Sequence, residues 1–471
     1  MSGWGTAAPA GSRRRGAAPA PRLAVDCAAV EQAWFDELAE WLRIPSVSAD
    51  PAHRDDVVRA GEWVCDFVRR AGGTAELVDW NGEPLAVGEI RASNGAADAP
   101  TVLCYGHFDV QPPEPLDLWE SPPFEPTIRD EWLYARGVAD DKGQLYLLLK
   151  AAESLARDGA LPVNLRFACD GEEETGGHSI VEFVAADERG ADACVIFDTD
   201  MERRGRPAFN LATRGLVSFD LRVRGGERDL HSGMYGNAAL NAVHALMEAL
   251  AGVLPRDGRL PEPLRQGIAP VTEEERAAWA QVTPGPQALA EAGAAPADER
   301  AGDEFYERTW AEPAVDVNGI LGGKPGLRNT TIPAEARANF TIRLAPGQDV
   351  DTVAGAAERL VREAAPPRAT VELTRDSSAR PGLVSPDSPA VRLGLDAFER
   401  ALGVRPLLIR SGGTLPIVPA LADAGIPTIL TGFALPESNV HSPNERLLVE
   451  YVPLGVAAAR ELFVALARLR A

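Results

Sequence analysis

Two textures of hydrophobic patterning divide the chain. In the first, mainly apolar strand-like segments at 102–105, 163–169, 193–197, 406–409 and 427–430 alternate with helix-period segments at 29–42, 57–70, 143–156, 179–186, 388–402, 417–424 and 451–469. Further short strands are expected at 75–78 and 85–90. A strand apolar on both faces is buried on both, as in a sheet covered by helices. This half of the pattern predicts a layered α/β domain. The second texture begins near Gly215. Val217, Phe219, Leu221 and Val223 alternate with polar residues, as do Ala338, Phe340, Ile342 and Leu344. Strict alternation marks strands with one face in water. With helices expected at 237–250 and 350–363 and a strand around Thr370–Thr374, this region predicts a small α+β domain inserted into the first. Its antiparallel edge is suited to pairing with a second subunit.

The expected organisation is a flexible tail over 1–22, the first part of the larger α/β domain over 23–213, the inserted α+β domain over 214–381, and the remainder of the larger domain over 382–471. A Pro- and Ala-rich excursion, 255–312, interrupts the inserted domain and is expected to carry no metal ligands. A chain of 471 residues exceeds one ordinary core, in keeping with that division.

Composition narrows the partners. Lys and Arg number 47 against 69 Asp and Glu, a net charge of −22. That balance argues against nucleic acid and against anionic membranes. No apolar run approaches the ~18 residues of a spanning helix. Arg13 to Arg15 are not followed by the apolar segment of an export signal. Cys27, Cys65, Cys104, Cys169 and Cys194 are odd in number and lack metal spacing, which points to a reducing cytoplasm.

Candidate chemistry sits at the ends of the buried runs. His107 and Asp109 follow the first, two residues apart and so on one side of extended chain. Asp140 and Asp141 precede a helix, Glu172 to Glu174 follow the run at 163–169, and Asp198 and Asp200 follow that at 193–197. His441 stands near the C-terminus. The edge at which strands end is where open α/β sheets bind ligands. Two histidines and several carboxylates, without clustered cysteines, form an oxygen-rich donor set suited to catalytic Zn²⁺ or Mn²⁺. If the histidines serve different ions, a shared carboxylate can bridge them at about 3.5–4 Å, and a spare one can deprotonate bound water.

The segments GHFDVQPP, RGVADDKG, DGEEETGG, DLHSGMYGN, RNTTIP, FTIRLAP, RSGGTLP and NVHSPNERL occur in that order. Together they resemble the co-catalytic dinuclear metallopeptidase family that includes carboxypeptidase G2, succinyl-diaminopimelate desuccinylase, aminoacylase and the carnosine dipeptidases. The Asp-Asp-Lys-Gly and Leu-His-Ser-Gly-x-Tyr-Gly segments look like the carnosine or cytosolic non-specific dipeptidase branch. The resemblance covers roughly residues 30–471.

It implies two divalent ions per subunit, Zn²⁺ or Mn²⁺, in a homodimer that hydrolyses dipeptides, with 23–213 and 382–471 as the α/β metallopeptidase catalytic domain and 214–381 as an inserted α+β lid and dimerisation domain. His107 and Asp198 would hold one ion and Glu174 and His441 the other, with Asp140 bridging. Asp109 would orient His107, and Glu173 would be the general base activating the bridging water. His231 would polarise the scissile carbonyl, in this family usually from the partner subunit. Thr330, Arg343, Gly413 and Thr414 would hold the substrate's terminal carboxylate and backbone. Relatives usually read Glu-Gly-x-Glu-Glu where this chain has Asp170-Gly171-Glu172-Glu173-Glu174. Thr175-Gly176 anchors the register, so Glu172 is expected to be exposed. Thr414 stands where many relatives carry Ser. The rival is an N-acyl-amino-acid deacylase or carboxypeptidase of the same family. A non-catalytic metal-binding scaffold would be expected to lack the base, a ligand or the lid histidine, and none is missing.

Overall fold

The computed structural model describes residues 32–470, apart from 94, 96, 97, 325, 327 and 328. The expected tail and Cys27 lie outside the described residues. The larger unit is an eight-stranded sheet in the order Thr74–Trp80, Glu83–Ile90, Asn164–Asp170, Thr101–His107, Ala193–Phe197, Thr428–Thr431, Ala208–Asn210, Leu407–Ile409. Its four central strands are mutually parallel. Every residue of Asn164–Asp170 and Ala193–Phe197 is buried, as in a sheet covered by helices on both faces. Helices Arg54–Arg70, Lys142–Arg157, Pro389–Leu402 and Tyr451–Leu466 contribute to the same core.

The smaller unit is an antiparallel sheet ordered Ala314–Gly322, Glu335–Leu344, Gly215–Arg224, Thr370–Ala379. Its alternating residues Val217, Phe219, Leu221, Ala338, Phe340 and Ile342 pack with helices Ala242–Ala251 and Val350–Ala364. Phe219 stacks on Phe340 with ring centroids 5.0 Å apart. Burying each such ring contributes about 1.5–3 kcal/mol. Ile320 and Leu321, on the edge strand, are exposed.

Two local expectations need correction. The helix anticipated over 237–250 begins at Ala242. Asn237 adopts a left-handed backbone, φ 62°, and Asn241 caps the helix by accepting from the Val243 amide at 2.9 Å. The excursion, read as an interruption of the lid, returns to the large sheet. Its helices Glu273–Trp279 and Gly285–Glu291 lie along a path where Ala278, Trp279, Val282 and Ala311 pack on Ala208, Leu407 and Ile409 of the sheet's edge. A buried ion pair fixes that contact. Arg410 Nε donates to Glu275 Oε1 at 2.6 Å, while Glu275 also closes a capping box with Thr272.

Candidate metal centre

The parallel strands deliver their chemistry at one edge. His107 is the last residue of Thr101–His107 and lies in register with Asp170, immediately ahead of the Glu172–Glu174 turn. Asp198 follows Ala193–Phe197 directly. Gly106 permits the approach of the Asp140-Asp141 segment. A Cβ there would stand 2.6 Å from Asp141 Oδ2. That oxygen accepts from the His107 amide at 3.1 Å, fixing the start of helix Lys142–Arg157 to the strand end.

One carboxylate then lies between two imidazoles. His107 Nε2 is 2.9 Å from Asp140 Oδ1, and His441 Nε2 is 2.9 Å from Asp140 Oδ2. Glu174 Oε2 lies 3.2 Å from His441 Nε2, and Asp198 Oδ1 lies 3.9 Å from His107 Nε2. On its other side, His107 Nδ1 faces Asp109, 3.3 Å from Oδ1 and 3.1 Å from the carbonyl. Asp109 is fully buried and accepts from Ser48 Oγ at 2.6 Å and from the amides of Glu173 and Glu174 at 3.2 and 3.1 Å. It therefore sets both the imidazole and the glutamate turn. Gln111 Nε2 donates to Glu174 Oε2 at 2.7 Å, whereas Glu174 Oε1 is buried without a partner. Among the described residues, the Glu173 carboxylate makes no hydrogen bond to another side chain.

This donor set fits divalent cations. His107, Asp140 and Glu174 offer ligand atoms within 4.8 Å of one another, as do His107, Asp141 and Asp198. Asp141 is an addition to the anticipated set. Burial, with the charges of Asp141, Asp140 and Glu174, pushes Asp198 well above the usual carboxylate range. Burial likewise raises Glu173, joined by the charges of Asp198, Glu174 and Asp140. Hydrogen bonds to Asp140 and Glu174 push His441 up to about 10. So dense a packing of buried acids calls for positive charge.

His441 is presented by an unusual loop. Asn439, His441 and Asn444 all have left-handed backbones, φ 55°, 59° and 62°. Asparagine tolerates this conformation, whereas for His441 it costs roughly 1–2 kcal/mol, and such outliers gather at functional sites. Tertiary bonds hold the loop: Asn444 Nδ2 donates to the Leu118 carbonyl at 2.9 Å, and Asn439 Nδ2 to the Asn444 carbonyl at 3.2 Å. Glu445, fully buried, accepts from Arg136 Nη1 at 2.8 Å and from the amides of Gly137, Ala139 and Asp140 at 2.9, 2.8 and 3.1 Å. One carboxylate thus joins the His441 loop to the segment carrying Asp140. Glu445→Ala strands the buried Arg136 charge and is expected to cost about 3–5 kcal/mol. Denaturant unfolding measures that loss, and metal titration should show weakened binding.

The remaining anticipated residues fall into two places. Arg343 Nη1 donates to Thr414 Oγ1 at 2.7 Å, and the Gly413 carbonyl accepts from the Arg214 amide at 2.8 Å. The structure therefore brings Arg343, Gly413 and Thr414 together. Arg214, which no motif singled out, is buried beside them. Burial and then the Arg343 charge lower its guanidinium to about 10. His231 and Thr330 lie instead on a small ribbon, where His231 pairs with Thr331 and the Thr330 carbonyl accepts from the Ser232 amide at 2.8 Å. His231 is exposed, and its Nδ1 accepts from the Gly233 amide at 3.0 Å. Among the described residues no ion pair or hydrogen bond joins it to the cluster. Glu172, expected to be exposed, is half-buried because its Oε1 accepts from the Ser179 amide at the start of helix His178–Ala186.

Comparison with known proteins agrees with this geometry. The model of peptidase family M20/M25/M40 matches residues 103–465. A Cys-Gly metallodipeptidase of Schizosaccharomyces pombe is 28% identical over 441 residues, covering 87% of this chain and 90% of that protein. Human carnosine dipeptidase 1 superposes with a TM-score of 0.77 at 25% identity, over 93% of this chain and 96% of that one. An M20 family metallo-carboxypeptidase, Sso-CP2 from Sulfolobus solfataricus, gives 0.82 at 26% identity, over 92% and 99%.

Proposed function

Because the chain belongs to peptidase family M20/M25/M40, we propose that it is a dinuclear metallodipeptidase, with Glu173 as general base at a site bridged by Asp140. The observation that carries this reading is the Asp140 carboxylate lying 2.9 Å from both His107 and His441, with the half-buried Glu173 next to Glu174. His107 and Asp198 would hold one cation and His441 and Glu174 the other. Bound Zn²⁺ or Mn²⁺ would polarise the scissile carbonyl and acidify water.

The side chains do the rest. Glu173 takes the proton of the attacking water and delivers it to the departing amine as the C–N bond breaks. Asp109 keeps the His107 imidazole in one tautomer. The Arg343 fork and the Thr414 hydroxyl hold the substrate's terminal carboxylate, with Gly413 and Thr330 along its backbone. His231 donates to the developing oxyanion. Its exposed position supports a role across a homodimer, which the exposed Ile320 and Leu321 of the lid's edge strand would help to form. Four described cysteines, Cys65, Cys104, Cys169 and Cys194, are free and buried, which supports a cytoplasmic location. Among the described residues no helix is long and apolar enough to cross a membrane.

Assays with free dipeptides, N-acetylated amino acids and longer peptides test the reading. Free dipeptides should be cleaved best. Preference for acylated substrates would favour the deacylase, and trimming of longer peptides the carboxypeptidase. In a second assay, inactive His231→Ala and Glu173→Gln proteins are mixed under subunit exchange. Regained turnover is expected if His231 acts across the dimer, and none would oppose that role.

A further inference from the structure

Arg214 is a buried cation without a counter-ion among the described residues. It is 6% exposed and links the short strand Ala212–Thr213 to Gly215–Arg224. Its Nη1 donates to the Thr309 carbonyl at 2.9 Å, and its amide donates to the Gly413 carbonyl at 2.8 Å. Its Nε and Nη2 are buried with no hydrogen-bond partner. Among the described residues no carboxylate oxygen lies within 4.0 Å of a guanidinium nitrogen of Arg214 or of Arg343. Arg343 donates instead to Thr414 Oγ1 at 2.7 Å. Burial and the Arg343 charge hold the Arg214 guanidinium down to about 10, and Asp316 offsets them only in part. Burying a charge without an opposite one costs stability, and a second cation beside it adds to the cost.

The chain around Arg214 leaves room for a ligand. A cleft of about 830 Å³ that opens at Asp140 and Asp198 is also lined by Trp310, Ser411 and Gly412. It thus reaches from the metal ligands to the immediate neighbours of Thr309 and Gly413. A Cβ at Gly412 would meet only the Thr309 carbonyl, at 3.5 Å, and one at Gly413 only Ser411 Oγ, at 3.3 Å. Neither glycine has a left-handed backbone. The pair therefore keeps surface open here and does not serve to relieve backbone strain.

We propose that Arg214 is a positioning residue of the terminal-carboxylate site, a second cation whose unneutralised charge makes that site demand an anion. This rests on the dipeptidase reading, which places the substrate's carboxylate at Arg343 and Thr414. Arg214 acts without touching the substrate. Its charge adds to that of Arg343 where little water screens it, and its two carbonyl contacts fix Gly413 and the excursion's Thr309 around the bound end. A carboxylate neutralises the pair of arginines, whereas a C-terminal amide leaves it uncompensated.

The test measures kcat and KM for Gly-Leu and Gly-Leu amide with full-length, metal-loaded protein. Wild type should favour the acid, and indifference would overturn the inference. Arg214→Met should lower that preference about tenfold, through the KM of the acid, while cleavage of the amide changes by less than about twofold. Arg214→Lys keeps the charge and should retain most of the preference. An unchanged preference in the Met variant, or equal losses on acid and amide, would make Arg214 purely structural and overturn the inference. A Lys variant as unselective as the Met variant would do the same. Melting temperature and metal content identify any variant that fails to fold. If both fail, Arg343→Met decides: it should keep an acid preference of about tenfold, supplied by Arg214, and equal cleavage of acid and amide overturns the inference. Wild type that cleaves N-acetyl-leucine but no free dipeptide would instead strike the dipeptidase reading. The acid and amide comparison then runs on N-acetyl-leucine and its amide.

Discussion

Glu173→Gln is expected to lower kcat by about 10²–10⁴-fold, the range lost with a positioned general base, while the variant keeps both metal ions. The substitution preserves shape and removes the capacity to take a proton. Its backbone amide, which donates to Asp109 at 3.2 Å, is unaffected, so the imidazole and the adjacent Glu174 should stay in place. In the metal-free protein, burial and the charges of Asp198, Glu174 and Asp140 raise this carboxyl well above its ordinary value. Metal analysis and steady-state kinetics on one preparation separate the roles. Full turnover in the Gln variant would remove Glu173 as the base, whereas loss of metal would make it a ligand.

Stripping the metals is expected to destabilise the fold strongly. With free metal at a thousand times Kd, each ion contributes about 4 kcal/mol. For a chain of this length, losing two corresponds to a fall in Tm of roughly 5–10 °C. The metal-free protein should also show a characteristic pH dependence. Glu173 and Asp198 have folded values above their ordinary 4.5 and 3.8, so the folded state binds more protons and stability falls as pH rises beyond those values. His441, raised from 6.5 to about 10, acts in the same sense: its contribution is complete below 6.5 and lost as pH rises through about 10. Asp140 runs the other way, because its bonds to His107 and His441 outweigh burial and lower it. Its contribution is present above 3.8 and lost as pH falls through the folded value. Calorimetry of chelated protein should therefore show higher stability near pH 5 than near pH 8, and added Zn²⁺ or Mn²⁺ should largely remove the difference. Equal melting with and without chelator would contradict the site.

What the sequence made legible was local and periodic. Mainly apolar segments located the central strands because they are buried on both faces. Alternation located the lid strands because only one face is covered. His107, the glutamate turn and Asp198, at the ends of those strands, marked part of the candidate metal cluster, since the parallel strands end at the same edge. Residues acting through long-range contacts were harder to see. Glu445 stands in a quoted motif, but only the fold reveals that it accepts from Arg136 and three backbone amides far away in sequence. Arg214 is one arginine at the start of an alternating strand, and nothing local indicates its burial beside Arg343. Glu172 was misread because its partner, the Ser179 amide, lies across a turn whose path the sequence does not specify. The excursion was opaque for a similar reason. Its short helices are weakly periodic, and the Glu275–Arg410 pair that assigns them to the large sheet spans two distant segments.

Anomalous diffraction from crystals of active protein, collected at the zinc and manganese edges, would test the site most directly. Two peaks about 3.5–4 Å apart are expected, with the Asp140 carboxylate between them, His107 on one and His441 on the other. A single peak, or a pair held elsewhere while the enzyme still turns over, would contradict it.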